Sequence, residues 1–178
     1  MPNSKVLILP GWQNSGEGHW QTLWEAKFGD ERVEQHDWMQ PLRGDWIARL
    51  EEVLLQQTEP VLLAAHSLGC HLVAAWAAHS RETRRVRGAL LVAPPDVQQA
   101  DFPPQLHRWA QPVLQPLPFT AKVVASRNDP FAAFESTAQL AGAWGAELVD
   151  VGPRGHINAE SGLGAWPEGR AWLTALGN

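Results

Sequence analysis

The chain has 178 residues, of which 44% are hydrophobic, and a formal net charge of −5. These values favour one folded domain over residues 1–178 rather than a disordered chain. The acidic balance argues against binding to a nucleic-acid backbone, which requires clustered Lys and Arg. The single cysteine, Cys70, excludes an internal disulfide. The sequence lacks an apolar run of about 18 residues, and the apolar run near the N-terminus is too short for a signal peptide, so we expect a cytoplasmic protein without a membrane span.

Patterns typical of strands and helices alternate about six times along the chain. The first strand is predicted at 6–9, and apolar residues at helical spacing predict a helix over 20–28 that ends at Gly29. Residues 94–118 form a Pro- and Gln-rich connection with one short helix near 106–109. The other strands are predicted at 32–36, 61–66, 88–93, 121–125 and 147–151, and the other helices at 46–54, 70–78, 131–144 and 166–176.

The predicted strands are apolar on both faces, which indicates a mainly parallel sheet covered by helices on both sides. Because crossover connections are right-handed, we expect a six-stranded α/β sheet with strand order 2-1-3-4-5-6. Its topological switch point lies between strands one and three, where open α/β sheets bind ligands. The loop after strand one and the turn at Ser67 both open at that point.

The stretch from Ala65 to Gly69 has the pattern of a catalytic turn. An apolar strand ends at Ser67, which small residues flank, and an apolar helix follows. This arrangement predicts the nucleophile elbow of α/β-hydrolases, whose usual pattern is Gly-x-Ser-x-Gly, with Ala65 in place of the first glycine. A serine at such a junction is also often only a helix N-cap, so the motif alone does not decide its role.

The later chain offers the partners that a nucleophilic serine requires. Asp129 follows strand five and His156 follows strand six, so both are expected at the same sheet edge as Ser67. The order Ser, Asp, His is that of α/β-hydrolases. We therefore predict a triad in which His156 is the base and Asp129 orients it. Asp96, after strand four, is the alternative acid.

Backbone N–H groups and pocket walls can also be predicted around the serine. The N–H groups of Trp12 and Leu68 are candidates for the oxyanion hole. The side chains of Trp12, His19 and Trp20 are candidates for binding substrate. His66 is expected to point to the opposite face from Ser67, since consecutive strand residues alternate, and at most to wall the site.

Other chemistries lack their motifs in this sequence. The His, Cys, Asp and Glu residues show no metal-ligand spacing, and Gly11 and Gly16 lack the Lys-Ser/Thr of a P-loop. Cys70, one turn past Ser67, is interpreted as a packing residue. We therefore expect neither a metal nor a cofactor.

Motifs at residues 9–12, 15–16, 19–20, 38, 41, 45–46, 65–70, 128–130 and 155–158 together carry a family resemblance. With these motifs, the sequence resembles the small serine hydrolases typified by vertebrate retinoblastoma-binding protein 9 and the bacterial YdeN-like proteins. The resemblance implies one compact α/β-hydrolase domain without a lid, a triad of Ser67, Asp129 and His156, and hydrolysis of small substrates. The vertebrate Leu-x-Cys-x-Glu motif lacks its acid here, so that partner function is not expected.

The sequence as a whole predicts a serine hydrolase that cleaves small-molecule esters or amides through an acyl-enzyme. Two alternatives remain open at this point. One is a binding module that retains the fold without catalysis, and the other is a lyase that uses the same triad without an acyl-enzyme.

Overall fold

A computed structural model describes residues 4–178 as an open, six-stranded, wholly parallel sheet with strand order β2-β1-β3-β4-β5-β6. The predicted strand order is confirmed. Residues 1–3, on which part of the signal-peptide argument depends, lie outside the described residues. The strands are β1 (Val6–Leu9), β2 (Glu31–Arg32), β3 (Val61–His66), β4 (Val86–Val92), β5 (Thr120–Ala125) and β6 (Glu147–Asp150).

The described residues also form five α-helices and three short 3₁₀ helices. Within residues 4–178, no helix is both long enough and apolar enough to cross a bilayer. The 3₁₀ helices are Thr83–Arg85, Pro104–Trp109 and Ala159–Ser161. The α-helices are α1 (Trp20–Phe28), α2 (Arg43–Leu55), α3 (Leu68–His79), α4 (Phe134–Trp144) and α5 (Pro167–Leu176).

Helices cover both faces of the sheet, as the apolar strands predicted. Trp20 and Trp24 of α1 pack with Leu173 of α5 against Ile8 on one face. The opposite face carries residues of α2, α3 and α4, which pack on Leu7, Leu9, Leu63 and Leu91. Six tryptophans are less than 2% exposed, so most of the ten tryptophans in the chain fill the two core layers.

Several element boundaries differ from the prediction, among them the end of β2 and the start of α4. β2 pairs only two residues with β1, after which the Val33 N–H donates to the Ile8 carbonyl at 2.9 Å and its side chain enters the core. The predicted helix at 131–144 begins only at Phe134. The reason is local, because the Asp129 carboxylate accepts the Phe131 N–H at 2.9 Å and holds these residues in a turn.

Gly69 sets how closely α3 approaches the sheet. A Cβ at this position would lie 2.3 Å from the Leu9 carbonyl oxygen, so only glycine allows the first turn of α3 to contact the end of β1. This contact brings the loop after β1 beside Ser67, at the topological switch point of the sheet.

Candidate active site

Ser67 lies on a strained turn between β3 and α3. Its φ of 55° and ψ of −124° are unusual for a residue with a side chain, and such a conformation costs about 1–3 kcal/mol. The surrounding structure compensates, since the Ser67 N–H donates to the Val92 carbonyl at 2.9 Å. Its side chain makes no capping hydrogen bond to α3. The strain therefore serves to present the hydroxyl at the sheet edge, and the helix-cap interpretation does not apply.

A continuous hydrogen-bonded relay joins Ser67 to His156 and Asp129. The Ser67 Oγ lies 2.9 Å from His156 Nε2, and His156 Nδ1 lies 3.0 Å from both carboxylate oxygens of Asp129. The carboxylate only accepts, so Nδ1 carries the hydrogen and Nε2 is free to accept the serine proton. The side chains of His156 and Asp129 are 10% and 3% exposed, so water is largely excluded from their contact.

The loops after β5 and β6 are tied together by side-chain hydrogen bonds. Asn128 Oδ1 accepts the Gly155 N–H at 2.7 Å, and Ser126 Oγ accepts the Arg154 N–H at 2.9 Å. Ser126 Oγ in turn donates to Asn128 Oδ1 at 3.1 Å. These bonds link the turn that bears Asp129 to the turn that bears His156, and they fix the separation of the two side chains.

Asp96, the alternative acid, is engaged elsewhere. Its Oδ1 accepts the Gln98 N–H at 3.0 Å, and its Oδ2 accepts a 3.4 Å hydrogen bond from Ser136. The carboxylate thus stabilises the start of the connection between β4 and β5. The structure brings Asp129 rather than Asp96 to His156.

The two predicted oxyanion donors lie in adjoining backbone segments. Leu68 is the first residue of α3, so its N–H has no acceptor within the helix. A Cβ on Gly11 would lie 3.0 Å from Leu68 N, which shows how closely the loop after β1 passes the elbow. Trp12 follows directly, and its indole anchors this loop by donating to the Met39 carbonyl at 2.9 Å.

A cavity of about 480 Å³ opens above the serine. Its apolar wall includes Trp12 and Leu68 together with Phe102, Leu106 and Phe131. Phe102 and Leu106 belong to the connection between β4 and β5. They were not predicted, because an irregular segment has no periodicity that would show which side chains turn toward a site.

Of the predicted pocket residues, Trp12 and His19 line the cavity and Trp20 does not. The prediction for Trp20 is wrong. Its side chain is 1% exposed and packs against Trp24 and Trp166. Its indole N–H donates to the Ile157 carbonyl at 2.9 Å. Trp20 therefore supports the His156 loop from behind, as part of the core under α1 and α5.

His66 lines the cavity as well, which fits its predicted place as a wall of the site but not the expectation that it faces away from the site. Its ring centroid lies 4.8 Å from that of His156, and its Nε2 lies 2.8 Å from the His156 carbonyl oxygen. The expectation assumed regular strand alternation, but the strand ends at His66 and Ser67 has a positive φ, so the alternation does not extend to Ser67.

The sheet order, the strained serine after β3 and the cavity at the switch point define an α/β-hydrolase. The chain belongs to the serine hydrolase family, whose model matches residues 6–175. The YdeN protein of Bacillus subtilis is 27% identical over 175 residues, which cover 92% of this chain and 90% of that protein.

Two solved structures place the chain within this fold. A YdeN-like protein from Pectobacterium atrosepticum has a TM-score of 0.85 at 32% identity, covering 97% of this chain and 90% of that one. A protein of the α/β hydrolase superfamily from Xanthomonas campestris has a TM-score of 0.66 at 21% identity, covering 99% and 98%. The second likeness concerns the fold alone. The resemblance to YdeN-like proteins inferred from sequence is confirmed.

Proposed function

We propose that the protein hydrolyses small ester or amide substrates through an acyl-enzyme on Ser67. The observation that carries the proposal is the relay from Ser67 Oγ to His156 Nε2 at 2.9 Å and from His156 Nδ1 to Asp129 at 3.0 Å. A serine hydroxyl becomes an effective nucleophile when a positioned base removes its proton and a third group orients that base.

The reaction follows from this geometry in two halves. Ser67 Oγ attacks the substrate carbonyl while His156 Nε2 takes the hydroxyl proton, and His156 then gives that proton to the leaving group. Water then attacks the acyl carbon while His156 takes one of its protons. His156 returns that proton to Ser67 Oγ as the bond between Ser67 and the acyl group breaks, which releases the acid and restores Ser67. Asp129 holds the required tautomer and stabilises the imidazolium in both halves.

The negative charge that develops on the carbonyl oxygen needs donors in place beforehand. The N–H of Leu68 at the start of α3 and the N–H of Trp12 in the adjoining loop are proposed for this role. The positive end of the α3 dipole favours the same charge. Each such donor typically contributes a factor of about 10²–10³ in rate.

The cavity lining favours small substrates that carry no negative charge. Among the described residues that line the cavity, none is Lys or Arg, and Asp101 and Glu160 are acidic. A volume of about 480 Å³ is within the range of pockets that bind small molecules. The apolar wall suits an acyl or alkyl group of a few carbons.

A fluorophosphonate probe, together with turnover of short-chain p-nitrophenyl esters, tests the proposal. We expect labelling of the wild-type protein and its loss in Ser67→Ala. Ser80→Ala is the matched control, because Ser80 hydrogen-bonds Glu51 at the far end of α3 and should leave labelling intact. Full labelling of Ser67→Ala would contradict the proposal, and an ester panel bound without turnover would favour a binding module.

A further inference from the structure

Two histidines that the proposed reaction does not use lie side by side in the cavity. His19 precedes α1, His66 ends β3, and both line the space above Ser67. Their ring centroids are 4.6 Å apart with the planes at 72°. Both side chains are nearly buried, at 4% and 5% exposure. A buried ring nitrogen normally has a hydrogen-bond partner, so each nitrogen of these two rings is expected to have one.

His19 presents an unused hydrogen-bond donor. Its Nδ1 accepts the Gln21 N–H at 3.1 Å as the N-cap of α1, so Nδ1 carries no hydrogen. Burial, with smaller contributions from the charges of Arg32 and His156, lowers the pKa of His19 to about 3. The ring is therefore neutral at ordinary pH, and Nε2 carries the hydrogen. Nε2 is buried and has no partner within residues 4–178.

His66 presents the complementary acceptor. Its Nε2 lies 2.8 Å from the His156 carbonyl oxygen, which can only accept, so the hydrogen of His66 is on Nε2. Burial lowers the pKa of His66 well below its ordinary value, so Nδ1 retains a lone pair. In the described part of the chain, the only hydrogen bond of the His66 ring is the one made by Nε2.

The position of His19 is tightly defined. The side chain of Gln21 donates to the Leu9 carbonyl at 3.2 Å and to the Ala64 carbonyl at 3.0 Å. These bonds tie the start of α1 to the ends of β1 and β3. The His19 ring is thus held at the cavity by the same sheet edge that carries Ser67.

We propose that His19 and His66 form a subsite that binds a hydroxyl group of the substrate. A hydroxyl oxygen accepts from His19 Nε2–H, and its hydrogen is donated to His66 Nδ1. A carboxylate has no hydrogen to donate, an ammonium has no lone pair to offer, and an alkyl group would leave a buried donor unpaired. The inference rests on the proposed function and specifies its substrate class as hydroxyl-bearing esters or amides.

Matched substrate pairs test this subsite. One pair is p-nitrophenyl butanoate and p-nitrophenyl 3-hydroxybutanoate, and the other is ethyl butanoate and 2-hydroxyethyl butanoate, which place the hydroxyl on the acyl or the leaving group. In at least one pair we expect kcat/KM to favour the hydroxyl substrate by about tenfold or more, as two hydrogen bonds to buried groups would give.

Two substitutions at one position separate hydrogen bonding to substrate from helix capping. His19→Asn retains a good N-cap but does not reach the Nε2 position, and it should bring the preference close to one. His19→Gln places an amide N–H near Nε2 without the cap and should retain part of the preference. His79→Asn, at the exposed end of α3, should leave it unchanged.

The outcomes distinguish this inference from the proposed function. If the parent esters are hydrolysed and Ser67 is labelled, a preference near one in both pairs, or one unchanged in His19→Asn, overturns the subsite alone. If no ester is hydrolysed, histidine ¹⁵N spectra of Ser67→Ala give a direct readout. Addition of 2-hydroxyethyl butanoate should shift His19 Nε2 and His66 Nδ1, ethyl butanoate should not, and equal or absent shifts reject the subsite.

Discussion

Two regions around the cavity are held in different ways. Polar contacts join the loops that bear Asp129 and His156, through Asn128 and Ser126, and a backbone contact at Gly69 sets the serine turn. The connection between β4 and β5, residues 93–119, is held mainly by buried side chains such as Leu106 and Trp109. The directional hydrogen bonds of the first region constrain the positions of individual atoms. The second supplies shape, which many apolar sequences could provide.

The two regions should differ most in how much kcat falls when one carboxylate in each of them is replaced. Asp129→Asn should lower kcat by about 10⁴, the size found when a triad aspartate becomes an amide that favours the wrong histidine tautomer. Asp96→Asn, whose carboxylate contacts Ser136 and the Gln98 backbone, should change kcat by less than about tenfold. Steady-state kinetics on one ester measures both, and equal losses would refute the assignment of the acid.

Two glycine substitutions compare the backbone at the serine turn with an ordinary position inside a helix. Gly69→Ala places a methyl group 2.3 Å from the Leu9 carbonyl oxygen and should lower the free energy of unfolding by about 3 kcal/mol, the upper end of usual overpacking costs. Gly142→Ala, inside α4 and with no atom within 4 Å of the added carbon, should stabilise by up to about 1 kcal/mol.

Chemical denaturation provides both values for these glycine variants. A Gly69→Ala protein as stable as the wild type would show that the turn relaxes easily, against the close contact described above. A destabilised Gly142→Ala would show instead that the cost comes from helix glycines in general rather than from the approach of α3 to β1.

The smallest expected effect concerns the contact between α3 and the connection that joins β4 to β5. The Nε2 atom of His71 lies 2.8 Å from the Pro95 carbonyl oxygen, and burial lowers the pKa of His71 to about 4. An unfolded histidine titrates near 6.5, so between about pH 6.5 and 4 the unfolded chain binds a proton that the folded chain does not. The free energy of unfolding therefore falls as pH falls through this window.

His71→Gln should reduce that dependence by as much as about 1.4 kcal/mol per pH unit. His79→Gln, on the exposed end of the same helix, should not change it. His19 and His66 have lowered pKa values too, so part of the slope should persist. Urea unfolding at several pH values between 7 and 4.5 measures the slopes, and parallel curves for both variants would contradict the role of His71.

The sheet could be predicted because its information is local and repeated. Each central strand is a short apolar run bounded by Gly, Pro or polar residues, and the handedness of crossovers leaves few strand orders. The short β2 could not be foreseen, since residues 33–36 resemble a strand but pairing with β1 ends at Arg32, after which only the Val33 N–H still bonds Ile8. The delayed start of α4 depends on the contact of Asp129 with the Phe131 N–H.

The relay residues could be found from sequence because each follows a strand, and parallel strands end at one edge. The cavity walls could not, because exposure to a cavity depends on packing between distant segments. Trp20 shows this limit, since its indole turns to Ile157 and the core. His66 shows another, because its predicted direction relative to Ser67 depended on a regular strand alternation that ends at a residue with a positive φ.

The shortness of β2 and the charges on β6 bear on self-association. An open sheet has two unpaired edges, and each can add a strand from another molecule. Here one edge offers only the two residues of β2, of which Glu31 forms an ion pair with Lys5. The other edge carries Glu147 and Asp150, paired with Lys122 and Arg127. Charged side chains at both edges therefore disfavour the addition of a strand from another molecule.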